Sequence, residues 1–314
     1  MLDAGIGLSN AQLLVERKTF DLIMPHGRHL AHLRERHRHR TSRPCDGHRQ
    51  CDARFICGCR LAAEGADILD IGGESTRPGA LPVEADEEMR RVLPVVRALR
   101  EKTSALISID TMKAAVARAA VEAGAPIITD VTGLTGDPAM MKVAAACDAG
   151  LVVMHMQGTP RTMQQQPEYR DVVAEVREFF SRRLAALEEA GIDLARIALD
   201  PGFGFGKTLE HNLALMRALS ALSVRQRPLL IGVSRKSMLG RLVGSDKMED
   251  RDWPTVAITS CARELGAGIV RVHDARPNVE AMRMTEAVLG APVSFESARV
   301  ESACAPPEVS RIRG

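Results

Sequence analysis

The sequence predicts an α/β fold whose parallel sheet closes on itself, a (β/α)8 TIM barrel. Short apolar runs alternate with longer helical patterns from residue 61 onward, as in a parallel sheet covered by helices on both faces. Seven such runs carry a polar residue at their C-terminal end: Asp70, Asp110, Asp130, His155, Asp200, Ser234 and His273. Polar groups from so many strands meet at one point only if the sheet forms a ring, because in an open sheet only the strands at the switch point converge.

Taken in chain order, residues 1–26 read as an extension leading into the barrel. "FDLIMPH" (20–26) begins like a first strand, which is expected near residues 22–32. Residues 27–60 then depart from everything around them. Six of nine histidines and four of seven cysteines fall between His26 and Cys59. The regular pattern starts at 61. Its strands are "DILDIGG" (67–73), "ALISID" (105–110), "PIITDV" (126–131), "LVVMHM" (151–156), "RIALDPG" (196–202), "LLIGVS" (229–234) and "GIVRVHD" (268–274). Helices are expected at about 84–101, 112–123, 137–148, 170–190, 208–221, 252–266 and 277–289, from their apolar periodicity. Asp137-Pro138 places a cap residue before a proline, and Gly124, Gly150, Gly191 and Gly266 are helix stops. The barrel ends near 290, and residues 291–314 read as a loose tail.

Composition narrows the function. Net charge is +2 over 314 residues, and 45% of them are hydrophobic. No overall field favours nucleic acid, and no apolar run is long enough to span a membrane. An odd number of cysteines, mostly in one cluster, is not a secreted disulfide framework. The opening residues carry no basic-then-apolar leader pattern. A cytoplasmic protein is the expectation.

The strand ends carry the chemistry. "DIGGESTRPGA" (70–80) is a small-residue loop bearing Ser75, Thr76 and Arg77, and arginine matches phosphate through its planar fork. "LDPGFGFGK" (199–207) sets Asp200 before three glycines and two phenylalanines, with Lys207 expected to lie beyond a flexible glycine run. A buried carboxylate there accepts parallel N–H bonds from an amino-heterocycle such as guanine or a pterin. "GVSRKSMLG" (232–240) offers Ser234, Arg235, Lys236 and Ser237. Arg271 and His273, two residues apart, share one strand face and suit a diphosphate leaving group. No structural-metal motif lies outside 27–60.

At these residues the sequence resembles the dihydropteroate synthases, folate-pathway enzymes inhibited by sulfonamides. The matching motifs are "AEGADILDIGGESTRPGA", "ISIDT", "DVTGL", "VVMHMQGTP", "LDPGFGFGK", "SRKS" and "RVHD", in family order over about 61–290. The resemblance implies a barrel, usually a homodimer, acting on two small molecules. It condenses (7,8-dihydropterin-6-yl)methyl diphosphate with 4-aminobenzoate, with Mg2+ assisting. It implies roles too. Asp200 holds the pterin's pyrimidine edge and Asp110 its opposite side. Lys236 reaches the ring carbonyl, Arg271 stacks on the ring, and Met154 and Phe205 wall the pocket. Thr129, Val131 and Gly232 complete the pterin set. Arg77, Arg271 and His273 hold the diphosphate. Thr76, Pro78, Ser234, Arg235 and Ser237 border the aminobenzoate and diphosphate. Asp110, Lys236, Arg271 and His273 form the catalytic group, and no residue is assigned to the metal.

Two departures from the family stand out. Thr129 occupies a position where the family usually has asparagine. The family's first strand and first catalytic loop, a stretch like "MGILNVTPDSFSDGG", is absent, and the Arg/His/Cys-rich stretch stands in its place. Similar length with unrelated composition reads as a shifted or substituted reading frame. Its cysteine spacing fits no common zinc pattern, and it lacks the aromatic interleaving of a nucleic-acid arm. The expectations are a barrel gap in place of the first strand, weak pterin binding and little turnover. Two alternatives stand beside the synthase. A methyltetrahydrofolate-dependent methyltransferase barrel would need no diphosphate site, and a non-catalytic pterin-binding paralogue would bind without turnover.

Overall fold

The computed structural model describes residues 11–16, 53–77 and 79–290, with 11–16 and 53–56 described through their backbone alone. The expected strand at 22–32, most of the Arg/His/Cys-rich stretch, Pro78 and the 291–314 tail lie outside the described residues.

Eight strands make one sheet. They are β1 (Ala11–Glu16), β2 (Ile68–Gly72), β3 (Leu106–Asp110), β4 (Ile127–Asp130), β5 (Gly150–Met154), β6 (Ile197–Asp200), β7 (Leu230–Ile231) and β8 (Ile269–Val272). Their order is β6-β5-β4-β3-β2-β1-β8-β7. The two ends of this order meet. Leu199 in β6 bridges Leu229 in parallel, and its N–H donates to the Pro228 carbonyl at 2.9 Å. The sheet is therefore a ring.

The period-2 alternation of strands sorts the side chains into two cores. Ile68, Leu106, Ile127, Val152, Ala198, Leu230 and Ile269 form a separate cluster, one residue from each of β2 to β8. They plug the barrel's N-terminal end. Their outward neighbours, such as Leu69, Ile107, Ile128, Leu151 and Val270, join the larger core beneath the helices. Two steps further along, the same inward row is polar in five of these strands, with Met154 and Gly232 in the other two. Asp70, Ser108, Thr129, Asp200 and Arg271 thus stand above the apolar plug.

The helices lie close to expectation: Ala85–Lys102, Ala114–Ala123, Met140–Ala145, Val172–Glu189, Leu209–Arg217, Asp252–Glu264 and Ala275–Val288. Gly124 ends one of them in a left-handed cap at φ 112°. Asp137 caps two segments, accepting Ala139 N–H and Ala114 N–H, each at 2.8 Å. Gly150 begins a strand and stops no helix.

Two helices were not expected. Ser237–Val243 follows the "SRK" turn and buries Met238 and Leu239. Ala53–Ala63 begins inside the stretch set apart as anomalous. Its Cys57 and Cys59 pack on the outer core, and an added Cβ at Gly58 would lie 2.8 Å from Leu99. Residues 57–61 thus provide an apolar face that their unusual composition concealed.

The expected gap is also corrected. The slot between β2 and β8 is filled by β1, which runs antiparallel to both. An open sheet edge leaves N–H and C=O groups unpaired, and an extended segment of either direction satisfies them. Deleting residues 1–16 should expose both edges and lower the melting temperature by at least about 5 °C, the scale of a few kcal/mol in a domain this size. An unchanged melting curve would show that β1 contributes nothing to the ring.

Candidate active site

The centre of the barrel is a guanidinium held between two carboxylates. Arg271 points inward from β8. Its Nη1 lies 3.1 Å from Asp70 Oδ2 and its Nη2 lies 3.3 Å from Asp110 Oδ2, with 10% of the arginine side chain exposed. Burial raises the Asp70 pKa to about 7; Arg271 opposes this, and the neighbouring Asp110 charge adds to it. Burial likewise raises Asp110, again against Arg271. Burial lowers Arg271, but the charges of Asp70, Asp110 and Asp200 outweigh that and raise it. Beside them, Ser108 Oγ and Thr129 Oγ1 share a hydrogen bond of 2.9 Å.

The 200–207 loop lies flat on the end of β5. His155 N–H donates to Asp200 O at 2.9 Å. Gly202, at φ 68°, admits no side chain, because a Cβ would fall 1.9 Å from the His155 carbonyl oxygen. Gly202 N–H donates to Asp200 Oδ1 at 2.7 Å, fixing the carboxylate. Lys207 was expected to lie beyond a flexible glycine run. Instead it is 3% exposed. Its Nζ reaches His155 Nδ1 at 3.0 Å, Phe205 O at 3.0 Å and His155 O at 3.4 Å. Three acceptors meet the three ammonium hydrogens, so Lys207 staples the loop closed.

The two phenylalanines separate. Phe203 is wholly buried in the outer core, and its carbonyl accepts from Lys236 Nζ. Phe205 is half-buried, with Lys236 Nζ 4.6 Å above its ring. Burial lowers the Lys236 pKa to about 7, opposed by Asp200 and reinforced by Arg271. Met154 and Val131 are buried close by in the strand register, and Gly232 lies with an ideal Cβ 4.0 Å from Arg271 Cβ.

On the other side, His273 Nδ1 lies 2.9 Å from Ser234 Oγ, which also accepts the His273 N–H at 3.2 Å. Burial lowers the His273 pKa to about 4, and Arg235, Arg271, Arg77 and Lys236 push the same way. The imidazole is therefore neutral at pH 7. Thr76 is half-buried and Arg77 exposed, both in the loop after β2. Ser237 is exposed and opens its short helix.

Three candidates point elsewhere. Arg235, at φ 56°, turns away to pair with Asp252 at 2.6 and 3.3 Å. Asp130 accepts Thr132 N–H at 2.8 Å and the Thr132 hydroxyl at 2.7 Å, holding its own loop. His155 meets Phe179 edge-on at 4.9 Å, beneath helix Val172–Glu189. The cause is the strand period: Thr129 and Met154 face inward, so their successors Asp130 and His155 face the helices. The same count finds Ser108, which was missed: it stands two residues before Asp110 and in register with Asp70.

A protein-family model described as "Pterin binding enzyme" matches residues 50–273. The Escherichia coli (strain K12) dihydropteroate synthase is 46% identical over 227 residues, covering 72% of this chain and 80% of that protein. The Xanthomonas albilineans dihydropteroate synthase structure with 4-aminobenzoic acid superposes with a TM-score of 0.72 at 45% identity, over 76% of this chain and 85% of that one. The same species' enzyme in complex with 7,8-dihydropteroate gives a TM-score of 0.70 at 42% identity, over 76% and 88%.

The Lys207 staple has a pH signature. Burial lowers its pKa from the ordinary 10.5 to about 7, with Asp200 opposing and Lys236 adding. Between these values the unfolded chain binds the proton more tightly, so this residue makes stability rise with pH. The ceiling is about 1.4 kcal/mol per pH unit for one proton. Urea midpoints at pH 7, 8 and 9 should climb more steeply for the unmodified protein than for Lys207→Met. Parallel curves would mean that burial does not lower the Lys207 pKa in the folded protein.

Proposed function

The chain belongs to the pterin-binding enzyme family, among the dihydropteroate synthases, and on that premise we propose that it joins (7,8-dihydropterin-6-yl)methyl diphosphate to 4-aminobenzoate. The products are 7,8-dihydropteroate and diphosphate. The observation that carries this reading is the convergence of Asp110, Asp200 and Lys236 with Arg271 and His273 at one end of a closed barrel. A flat heterocycle fits between the carboxylates and the lysine, with Phe205 and Met154 as walls. Asp200 is already oriented by Gly202 and receives the pyrimidine N–H groups. Negative charge leaves on the diphosphate. Arg271, held in place before the substrate arrives, and the exposed Arg77 stabilise it there without reorganising. Neutral His273 and Ser234 supply hydrogen bonds at the same end. The arylamine then attacks the pterin's methylene carbon, and no protein nucleophile is needed.

Thr129 costs something. Its hydroxyl is occupied by Ser108, so one pterin contact that an asparagine would make is lost. An unpaired ring group lowers affinity by about 1–3 kcal/mol. Among the described residues no group of three or more His, Cys, Asp or Glu suits a metal ion. The described residues thus offer no carboxylate or imidazole cage for Mg2+, and an ion bound with the diphosphate would neutralise part of its charge there. No described helix is long and apolar enough to cross a membrane.

A family-type first loop closes over the reacting carbon and excludes water, and residues 27–52 do not resemble it. Pterin binding should therefore survive better than turnover. In calorimetric titration with a pterin, Asp200→Ala should lose affinity on the order of a hundredfold, as two charge-assisted hydrogen bonds are worth. A coupled assay with both substrates and Mg2+ should show slow product formation that rises when a family-type loop is restored. Equal rates would show that the unusual stretch does the loop's work. Unchanged affinity in the Asp200 variant would remove the pterin assignment.

The homodimer expected from the family has a candidate face. Trp253, Ala257 and Cys261 are exposed at four-residue spacing on helix Asp252–Glu264, with Met284 and Val288 exposed on the helix packed against it. Trp253 is 79% exposed, unusual for so large an apolar side chain. Light scattering should report a dimer that Trp253→Asp converts to monomer. A monomeric unmodified protein would dismiss this face.

A further inference from the structure

Arg77 lies in the loop after β2, and a charge cluster outside the proposed chemistry fixes where that loop begins. Lys113, the residue before helix Ala114–Ala123, reaches two carboxylates. Its Nζ bonds Glu74 Oε2 and lies 2.5 Å from Glu88 Oε2. Glu88 sits in the first turn of helix Ala85–Lys102 and is wholly buried. Arg91 of the same helix donates to the Gly73 carbonyl at 3.0 Å. A Cβ on Gly73 would lie 2.7 Å from Glu88 Cγ and 2.9 Å from Val92 Cγ1. Gly73 and Glu74 are thus gripped at the carbonyl, at the carboxylate and along the bare backbone.

The ammonium is the central element of this grip. It bridges a buried carboxylate on one helix to a carboxylate on the loop. Burial lowers the Lys113 pKa, but Glu74 and Glu88 together raise it, so the cation is secure at neutral pH. Without it, Glu74 and Glu88 would face each other as two like charges, one of them buried. The loop would move away, and Arg77 is only three residues further on. The Arg77 charge bears on His273 in this arrangement.

We infer that Lys113 is a positioning residue for the diphosphate end of the site: by drawing Glu74 onto Glu88 it sets the loop that carries Arg77. This rests on the reading of Arg77 as a diphosphate ligand. A merely structural lysine would affect every ligand equally, whereas a latch acting through Arg77 would affect the diphosphate alone.

The test uses the full chain and two probes measured by calorimetry: inorganic diphosphate with Mg2+, and 6-hydroxymethyl-7,8-dihydropterin, which has no diphosphate. Lys113→Met should weaken diphosphate binding about tenfold and leave the pterin within about twofold, with Lys113→Arg restoring most of the loss. In an Arg77→Ala background, Lys113→Met should add almost nothing, because coupled residues do not contribute additively. Equal losses for both probes, or an undiminished loss in the Arg77→Ala background, would overturn the inference. Hydrogen exchange of residues 74–77 gives a readout that needs no ligand: it should accelerate in Lys113→Met, and unchanged exchange would overturn the latch. An unmodified protein that binds neither probe would instead fault the proposed function, with the exchange result still deciding the latch.

Discussion

A guanidinium placed in the middle of a barrel has to be matched, and the pairing of Arg271 with Asp70 and Asp110 is the constraint around which the site is arranged. Removing an arginine and two carboxylates from water costs several kcal/mol per ion, and their attraction seldom returns more than that. Three apolar side chains would serve stability at least as well. The charges are better understood through what the arginine does once substrate is bound. On the proposed reading it is a cation fixed beforehand where negative charge will appear. Such a group must not reorganise during reaction, and two carboxylates on different strands prevent it from doing so. They also tie β8 to β2 and β3 across β1, the one strand that separates them.

The remainder of the site repeats this device at smaller scale. The loops after β2 and β6 are rich in glycine, which lets the backbone approach closely but gives it no rigidity. A lysine then supplies the missing constraint. Lys207 joins the 200–207 loop to the end of β5 through three acceptors. Lys113 joins the loop after β2 to two helices through two carboxylates. In both cases the lysine is held by the loop it holds, so a loop built for close approach still keeps one shape.

Strand sequence made most of this legible. "DILDIGG", "ALISID" and "GIVRVHD" are apolar runs whose period places Asp70, Asp110 and Arg271 on one face, and the observed strands fall within those bounds. The same period was available to exclude Asp130 and His155 and to include Ser108. It was overridden by the simpler observation that a polar residue ended the strand. Arg235 was illegible for another reason. Its direction depends on a left-handed backbone turn and on Asp252, seventeen residues away in the chain, and no local pattern encodes either. Lys207 was misjudged because a glycine run looks flexible in sequence. Gly202 shows the reverse, its freedom being spent on a contact so close that only one conformation remains. The helix at Ala53–Ala63 was hidden by composition, since cysteine counts as apolar when packed but looked like part of an unrelated cluster.

The first strand shows what pairing alone can and cannot replace. β1 satisfies the inner edges of β2 and β8, aligning Ala11 with Ile71 and Glu16 with Ile269. Hydrogen bonding is indifferent to its direction, since antiparallel ladders pair at least as well as parallel ones. Catalysis is not indifferent. In a barrel of parallel strands every loop that follows a strand opens at the mouth, where the chemistry is. Here Ala11, the start of the strand, stands at the mouth end, and Glu16, its finish, stands at the apolar plug. The chain therefore leaves this strand at the far end from Asp110 and His273. Ring closure and the Arg271 clamp survive that reversal, because both depend on position across the sheet. The starting point of a loop that follows the strand does depend on which way the strand runs, and here Glu16 sets that point at the plug end.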